Sequence, residues 1–143
     1  MLNARIVTFA SALWWGSLTA IGFMAVPLLF KFLPTPALAG NMAARLFTAQ
    51  TWLSVTCGVA LLLATKGAAV AGAGRARATL FAVVLGMLLA LLIEFAVAPR
   101  IVARENLRLW HGAGTLMYAV QWLCAGAVLW RLASVPREAK HEQ

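Results

Sequence analysis

Glu94 is an acidic residue inside an apolar run, where an ionisable side chain needs a chemical reason. The run covers residues 80–98, and the other three acidic residues of the chain, Glu105, Glu138 and Glu142, lie outside such runs. A charge in hydrocarbon costs roughly 2.5–3.5 kcal/mol on insertion scales, so such a residue is normally paired, proton-linked or directed into a polar cavity. Glu94 therefore indicates an ion pair, a proton- or ion-linked site, or a ligand site.

Two further polar residues share the depth of Glu94. With a helical rise of about 1.5 Å per residue, Glu94 lies roughly 7–8 Å inside one end of its run, and Arg45 and His111 lie near the same level of two other runs. We expect these three residues to converge in an intramembrane polar cluster. Supporting residues in the same apolar runs are Gln50, Thr115, Tyr118 and Gln121, and Pro27 marks the same level in the first run. A Glu94–Arg45 ion pair that fixes the register of two helices is the simplest interpretation.

Helical spacing predicts which faces turn inward, because residues at i, i+3 and i+4 share a side of a helix. The predicted inward stripes are Asn41, Arg45, Thr48, Trp52 and Thr56; Gly86, Ala90 and Glu94; and His111, Thr115, Tyr118 and Trp122, with Gln121 beside them.

The elements that position these residues are membrane-spanning helices. Of the 143 residues, 63% are hydrophobic and only 11% are charged. Each of four apolar runs approaches or exceeds the roughly 20 residues that cross a bilayer as a helix. The sequence predicts an all-α membrane protein, a four-transmembrane-helix bundle forming one integral domain over residues 1–143, with spans near 6–30, 42–65, 78–98 and 109–132. The short connections leave no room for a nucleotide-binding module.

The net charge of +8 does not indicate a nucleic-acid-binding protein, because the Lys and Arg residues lie mainly at the ends of the apolar runs. Seven of them fall on the side of the two termini and five on the other side. This bias favours cytoplasmic termini. The compact chain, rich in Ala and Arg, suggests a multi-pass protein of the bacterial inner membrane, with the lipid bilayer as its partner.

Smaller features concern packing and assembly. Residues 23–27 and 95–99 both begin with Phe and end with Pro, an internal echo that parallel repeats would produce. Cys57 and Cys124 lie within apolar runs and are expected to pack as thiols. Glycine pairs that could join two copies into a homo-oligomer are Gly16/Gly22 and Gly112/Gly126.

A cofactor is not expected. His111 is the one histidine inside the spans, and His141 lies in the tail. Two axial haem ligands are therefore not available within the spans, although His111 is kept as a candidate metal ligand. Methionines such as Met24 and Met87 could bind copper but are also ordinary packing residues.

Several short motifs resemble a known family. They are Trp15-Gly16, Pro27 to Phe30, Leu33-Pro34, Ala39-Gly40, Arg45 to Phe47, and Leu109 to Gly112. In these motifs the chain resembles small four-helix membrane proteins classed as domain of unknown function 4149, which include eukaryotic transmembrane protein 205. The resemblance implies four spans and no established activity. More distant similarity, to four-helix families linked to copper uptake and to haem-dependent porphyrin oxidation, implies several histidines that this chain lacks.

The sequence therefore predicts a non-enzymatic inner-membrane protein with a polar pocket or ion pair near the external face, acting as a small transporter or accessory subunit. Two alternatives stay open. One is a haem- or copper-linked redox protein that uses His111, and the other is a purely structural or assembly partner.

Overall fold

The described part of the chain is entirely helical. The computed structural model describes residues 2–70 and 74–134, without the side chains of residues 2–4, 66–70 and 75. Its helices are α1 (Leu2–Ala20), α2 (Val26–Phe32), α3 (Pro36–Val70), α4 (Gly74–Leu92), α5 (Ala98–Val102) and α6 (Leu107–Ala133), with π-helical segments at Ile21–Ala25 and Ile93–Val97. The basic residues Lys66, Arg75, Arg137 and Lys140 and the tail histidine His141 lie outside the described side chains.

Four helical stretches are long and apolar enough to cross a membrane, as predicted. Span 1 is Arg5–Phe32, span 2 is Pro36–Thr65, span 3 is Ala76–Val102 and span 4 is Leu107–Ala133. Two short turns, 33–35 and 103–106, join spans 1 to 2 and 3 to 4. We call the end of the bundle that carries these turns the turn end, and the opposite end the terminal end.

The turns are shorter than the sequence predicted, because helix starts are well specified there. Residues 31–40 were expected to form the first turn, but α3 already begins at Pro36, where a missing N–H costs no helical hydrogen bond. The hydroxyl of Thr35 accepts from the Leu38 amide at 3.2 Å and caps this helix. Asn106 caps α6 in the same way, with its side chain accepting from the Leu109 amide.

The spans form a ring around a shared interior. Span 1 packs against spans 2 and 4, and span 3 packs against the same two helices. Spans 1 and 3 therefore lie across the bundle from each other. The main hydrophobic core fills the half near the terminal end, where Trp14, Leu18, Leu61 and Val128 are almost fully buried. The polar residues singled out by the sequence lie above this core, toward the turn end.

The echo at residues 23–27 and 95–99 has a structural counterpart. Each π-helical segment ends two residues before a proline, Pro27 in span 1 and Pro99 in span 3. In both, the wide turn closes with a bond from residue i+5 to residue i, from the Val26 amide to Ile21 and from the Ala98 amide to Ile93. A wide turn of this kind is frequent at functional sites. Because helices continue beyond both prolines, span 3 reaches Val102 rather than stopping at residue 98.

Two of the glycines singled out by the sequence and both cysteines pack inside the bundle. A Cβ on Gly22 would lie 2.5 Å from Cε1 of Tyr118, and one on Gly126 would lie 2.9 Å from Nε1 of Trp15. These two glycines, predicted as contacts between copies, are therefore occupied within the bundle, whereas Gly16 and Gly112 face open space. Cys57 and Cys124 are free thiols packed in or against the core.

Candidate functional site

The carboxylate of Glu94 is held by a neutral hydroxyl group. Glu94 is the second residue of the π-helical segment in span 3, and its side chain is half-buried. Thr48 Oγ1 in span 2 donates to it, at 2.9 Å from one carboxylate oxygen and 3.1 Å from the other. Among the described side chains Glu94 has no cationic partner. The site therefore presents an acid with one hydroxyl donor and free lone pairs.

The expected ion pair with Arg45 is not formed. The Arg45 side chain is exposed, and it lies one helical turn from Thr48 on α3, nearer the turn end. Arginine carries a long apolar stem and a strongly hydrated head, so it reaches the membrane surface from such a position. Thr48, with a short side chain, remains at the level of Glu94. Helical spacing alone could not distinguish these two residues, because they share one face of the helix.

The imidazole of His111 is also exposed, near the start of α6, and the structure gives it no contact with Glu94 among the described residues. Thr115, one turn further, donates its hydroxyl to the His111 carbonyl at 2.8 Å and is likewise exposed. Pro27 is exposed and contributes no polar side-chain atom. It lies in the first turn of α2, directly after the first π-helical segment. The predicted cluster of three charged or ionisable residues is thus reduced to Glu94 and its hydroxyl partner.

Of the predicted stripe of span 2, Thr48 turns inward and the other four residues do not. Trp52 is 55% exposed, and Asn41, Arg45 and Thr56 are exposed as well. The inward face instead carries Gln50, Ser54 and Cys57. In span 3 the stripe is correct, because Gly86 and Ala90 are buried and Glu94 is half-buried. In span 4, Tyr118, Gln121 and Trp122 turn inward, but His111 and Thr115 do not.

A second polar group, the amide cluster, lies deeper in the bundle. It consists of Ser17 in span 1, Gln50 and Ser54 in span 2, and Gln121 in span 4. Gln50 Nε2 donates to Ser17 Oγ at 3.1 Å and to Ser54 Oγ at 3.2 Å, while Gln121 Nε2 donates to Ser54 Oγ at 3.0 Å. Gln50, Gln121 and Ser54 are nearly or fully buried. Hydrogen bonds thus join three of the four spans in the middle of the bundle.

The hydroxyls of α3 run from Glu94 toward this cluster. Thr48, Thr51 and Ser54 follow one another at intervals of three residues, which separates them by roughly 4.5 Å along the helix axis. Thr51 Oγ1 lies 3.5 Å from the carbonyl oxygen of Ala90, one turn from Glu94 in span 3. The interior is therefore polar from Glu94 to the amide cluster and apolar beyond it.

Aromatic residues close the side between spans 1 and 4. Tyr118 donates its hydroxyl to the Leu18 carbonyl at 2.8 Å, and Trp122 Nε1 donates to Thr19 Oγ1 at 2.9 Å. The Trp122 ring also packs against Trp15 and Phe23, with centroids 5.7 and 5.5 Å apart. Glu94 lies five residues before Pro99 in span 3 and bonds to a hydroxyl of span 2. Gly22 lies five residues before Pro27 in span 1 and contacts the Tyr118 ring of span 4.

Sequence reasoning overlooked Ser17, Thr51 and Ser54. Serine and threonine in a membrane helix usually bond to their own backbone, so they give little signal. Ser17 and Ser54 do this too, donating to the carbonyls of Trp14 and Gln50, and they accept from the glutamines at the same time. The signal that was available is the interval of three between Thr48, Thr51 and Ser54.

The arrangement suits binding of a proton or a small cation, and it offers no activated nucleophile. Within the described residues, no three His, Cys, Asp or Glu side chains come close enough to hold a metal ion. The exposed guanidinium groups of the turn end lie apart from Glu94; that of Arg100, for example, stacks on Trp110 at 4.6 Å from the ring centroid.

Comparison with known proteins gives a family. No curated protein and no solved structure matches the chain. One family pattern covers residues 9–109, which includes most of span 1 and all of spans 2 and 3, with Thr48 and Glu94. The chain belongs to the family described as Domain of unknown function (DUF4149).

Proposed function

We propose that this protein is a non-enzymatic, multi-pass protein of the bacterial inner membrane whose Glu94 site takes up a proton or small cation. It would act as a small transporter or as the accessory subunit of one. The observation that carries the proposal is the hydrogen bonding of Glu94, whose two oxygens share one neutral donor, Thr48. An ionised carboxylate at this depth costs roughly 2.5–3.5 kcal/mol, and a bound proton or cation offsets that cost.

Access to the site is proposed from the turn end, taken as the external face. Glu94 lies above the amide cluster, and the apolar core closes the terminal half of the bundle. A single bundle therefore supplies half of a path across the membrane. Completion of the path needs a conformational change, a partner protein or a second copy, for which the open faces at Gly16 and Gly112 are available.

The test is ion uptake by vesicles that contain the purified protein. We expect proton or monovalent-cation flux, followed with a fluorescent indicator, to be lost in Glu94→Gln. The matched control is Glu105→Gln, because Glu105 is an exposed acid in the 103–106 turn. Equal flux in the wild type, in Glu94→Gln and in protein-free vesicles would rule out transport by this chain alone.

A purely structural role is the second candidate, and the Thr48–Glu94 contact favours it because it joins spans 2 and 3. In that case Glu94→Gln would lower the amount of folded protein without changing cation binding to the remainder. Binding of a monovalent cation, measured calorimetrically in detergent, separates the two roles. Heat of binding that depends on Glu94 supports the cation site, and its absence in well-folded wild type supports the structural role.

No cofactor is part of this proposal. His111 is exposed, and it belongs to no group of three His, Cys, Asp or Glu residues that could hold a metal ion among the described residues. We expect purified protein to be colourless after expression with added haem precursor. A Soret band that disappears in His111→Ala would overturn this part and support the redox alternative.

A further inference from the structure

Two buried polar atoms in the middle of the bundle have no hydrogen-bond partner among the described residues. They are Nε1 of Trp14, in a side chain that is 0% exposed, and Oε1 of Gln50, in a side chain that is 2% exposed. One is a donor and the other is an acceptor. Buried groups of this kind are rarely left unpaired, and an ordered water is a frequent partner.

With the serine hydroxyls directed as they are in the structure, turning the amide over would not satisfy Gln50 Oε1. Ser17 Oγ donates its proton to the Trp14 carbonyl at 2.9 Å, and Ser54 Oγ donates its proton to the Gln50 carbonyl at 2.8 Å. Both hydroxyl oxygens can therefore only accept from the Gln50 side chain, and Nε2 supplies them. A reversed amide would place an oxygen against two oxygens that have no free proton. The carbonyl of Gln50 is consequently directed to a place where a donor is needed.

Trp14 lies just below this place. Its Cα is one helical turn from Ser17, toward the terminal end. The far edge of its indole reaches across the bundle, because a Cβ on Gly86 would meet Trp14 Cζ2 at 2.8 Å and Cys124 Cβ at 3.6 Å. Cys124 is one turn from Gln121 on α6, also toward the terminal end. The indole thus forms the floor of the amide cluster, with an unpaired N–H in the floor and an unpaired carbonyl in the layer above.

We propose that a buried water site lies between Trp14 Nε1 and Gln50 Oε1 and is occupied by one water molecule or a short chain of water molecules. The ligand must donate to the carbonyl and accept from the indole. Water does both. A metal cation would suit the carbonyl but face the positive end of the N–H, and an anion would suit the N–H but face the carbonyl oxygen. The pair of atoms therefore selects a neutral ligand that both donates and accepts a hydrogen bond, as water does.

This site carries the polar interior to the boundary of the apolar core. The hydroxyls of Thr48, Thr51 and Ser54 connect the level of Glu94 to the amide cluster, and the water continues that line to Trp14. Beyond the indole, toward the terminal end, lie Leu61, Val83 and Val128, which offer no polar side-chain atom. Hydration is thus one-sided. The inference stands on the two unpaired atoms alone, whether or not Glu94 binds a cation.

The test is solid-state NMR of protein labelled with ¹⁵N-tryptophan in lipid vesicles. The indole signal of Trp14 is assigned by its loss in Trp14→Phe. We expect a magnetisation-transfer peak from water to the Trp14 indole. Trp122 is the internal control, because its indole donates to Thr19 Oγ1 and is expected to show none. Absence of the peak at Trp14, with water transfer observed at exposed Trp130, would overturn the proposal.

A second variant tests the acceptor. Gln50→Met keeps a similar length and removes the carbonyl, so the water should lose its partner and the Trp14 peak should fall to the level of Trp122. Persistence of the full peak in folded Gln50→Met would contradict a water held by Gln50. If this variant does not fold, the comparison of Trp14 with Trp122 in the wild type still decides for or against the site.

Discussion

The single hydroxyl proton of Thr48 is directed at both carboxylate oxygens of Glu94, which lie 2.9 and 3.1 Å from Thr48 Oγ1. One hydroxyl cannot satisfy a carboxylate, which has about four lone-pair positions. The remaining positions are the chemical capacity of the site, because a proton or cation can use them. Arg45 would have filled them permanently, and its exposed side chain leaves them free.

At this scale the first prediction concerns Thr48→Val, which keeps the shape of the side chain and removes the donor. We expect a loss of stability of about 0.6 kcal/mol, the average of hydrogen bonds measured between membrane helices, and of no more than about 1.7 kcal/mol, the largest value measured. Unfolding titrations in mixed detergent micelles measure it. Thr48→Ser keeps the hydroxyl and serves as the control. A loss in Thr48→Ser with none in Thr48→Val would mean that the methyl group, rather than the bond to Glu94, contributes the stability.

The limits of sequence reasoning are clearest for individual side chains. Composition and run length identified four spans and the unusual position of Glu94, because the cost of desolvation depends on residue type. They could not select Thr48 over Arg45, which share a face and differ in how far their heads reach. Nor could they show that Gln50 rather than Trp52 points inward, because polar residues occur on both faces of α3.

At the scale of the elements, the π-helical segments decide where side chains meet. Each widens its helix just before a proline, and each brings the residue five positions before that proline against a neighbouring helix. In span 3 that residue is Glu94, which reaches out to Thr48. In span 1 it is Gly22, which leaves room for Tyr118 to reach in and bond to Leu18.

The second prediction follows from this contact. In Gly22→Ala the new Cβ would lie 2.5 Å from Cε1 of Tyr118, so the tyrosine ring must shift. We expect a loss of about 1–3 kcal/mol, as for other overpacked cores. Gly16→Ala is the control on the same helix, where a Cβ meets open space. Thermal unfolding of the two variants in detergent distinguishes them, and matching midpoints would contradict the close contact.

For the whole molecule, the ring of four helices consists of two hairpins, spans 1 and 2 and spans 3 and 4, each closed by a short turn. Span 1 contacts spans 2 and 4, as span 3 does. The amide cluster draws one hydrogen-bonding residue from each of spans 1 and 4 and two from span 2, so polar contacts cross between the hairpins. The two hairpins therefore present complementary surfaces to each other.

The third prediction is that the hairpins assemble when the chain is cut between them. Co-expressed fragments 1–70 and 74–143 should purify together, because the contacts of Gln121 with Ser54 and of Tyr118 with Leu18 are made across the cut. A tag on one fragment and detection of the other measure this. The doubly changed pair Ser54→Leu and Tyr118→Leu should purify together less well. Recovery of the tagged fragment alone would contradict it.

The paired π-helical segments give the ring a local pseudo-symmetry. Two equivalent wide turns, each followed by proline, lie on opposite helices of the ring. The equivalent positions differ in residue type, because one holds the acid Glu94 and the other holds Gly22. The same backbone geometry therefore makes a polar contact from one hairpin and admits an aromatic ring in the other.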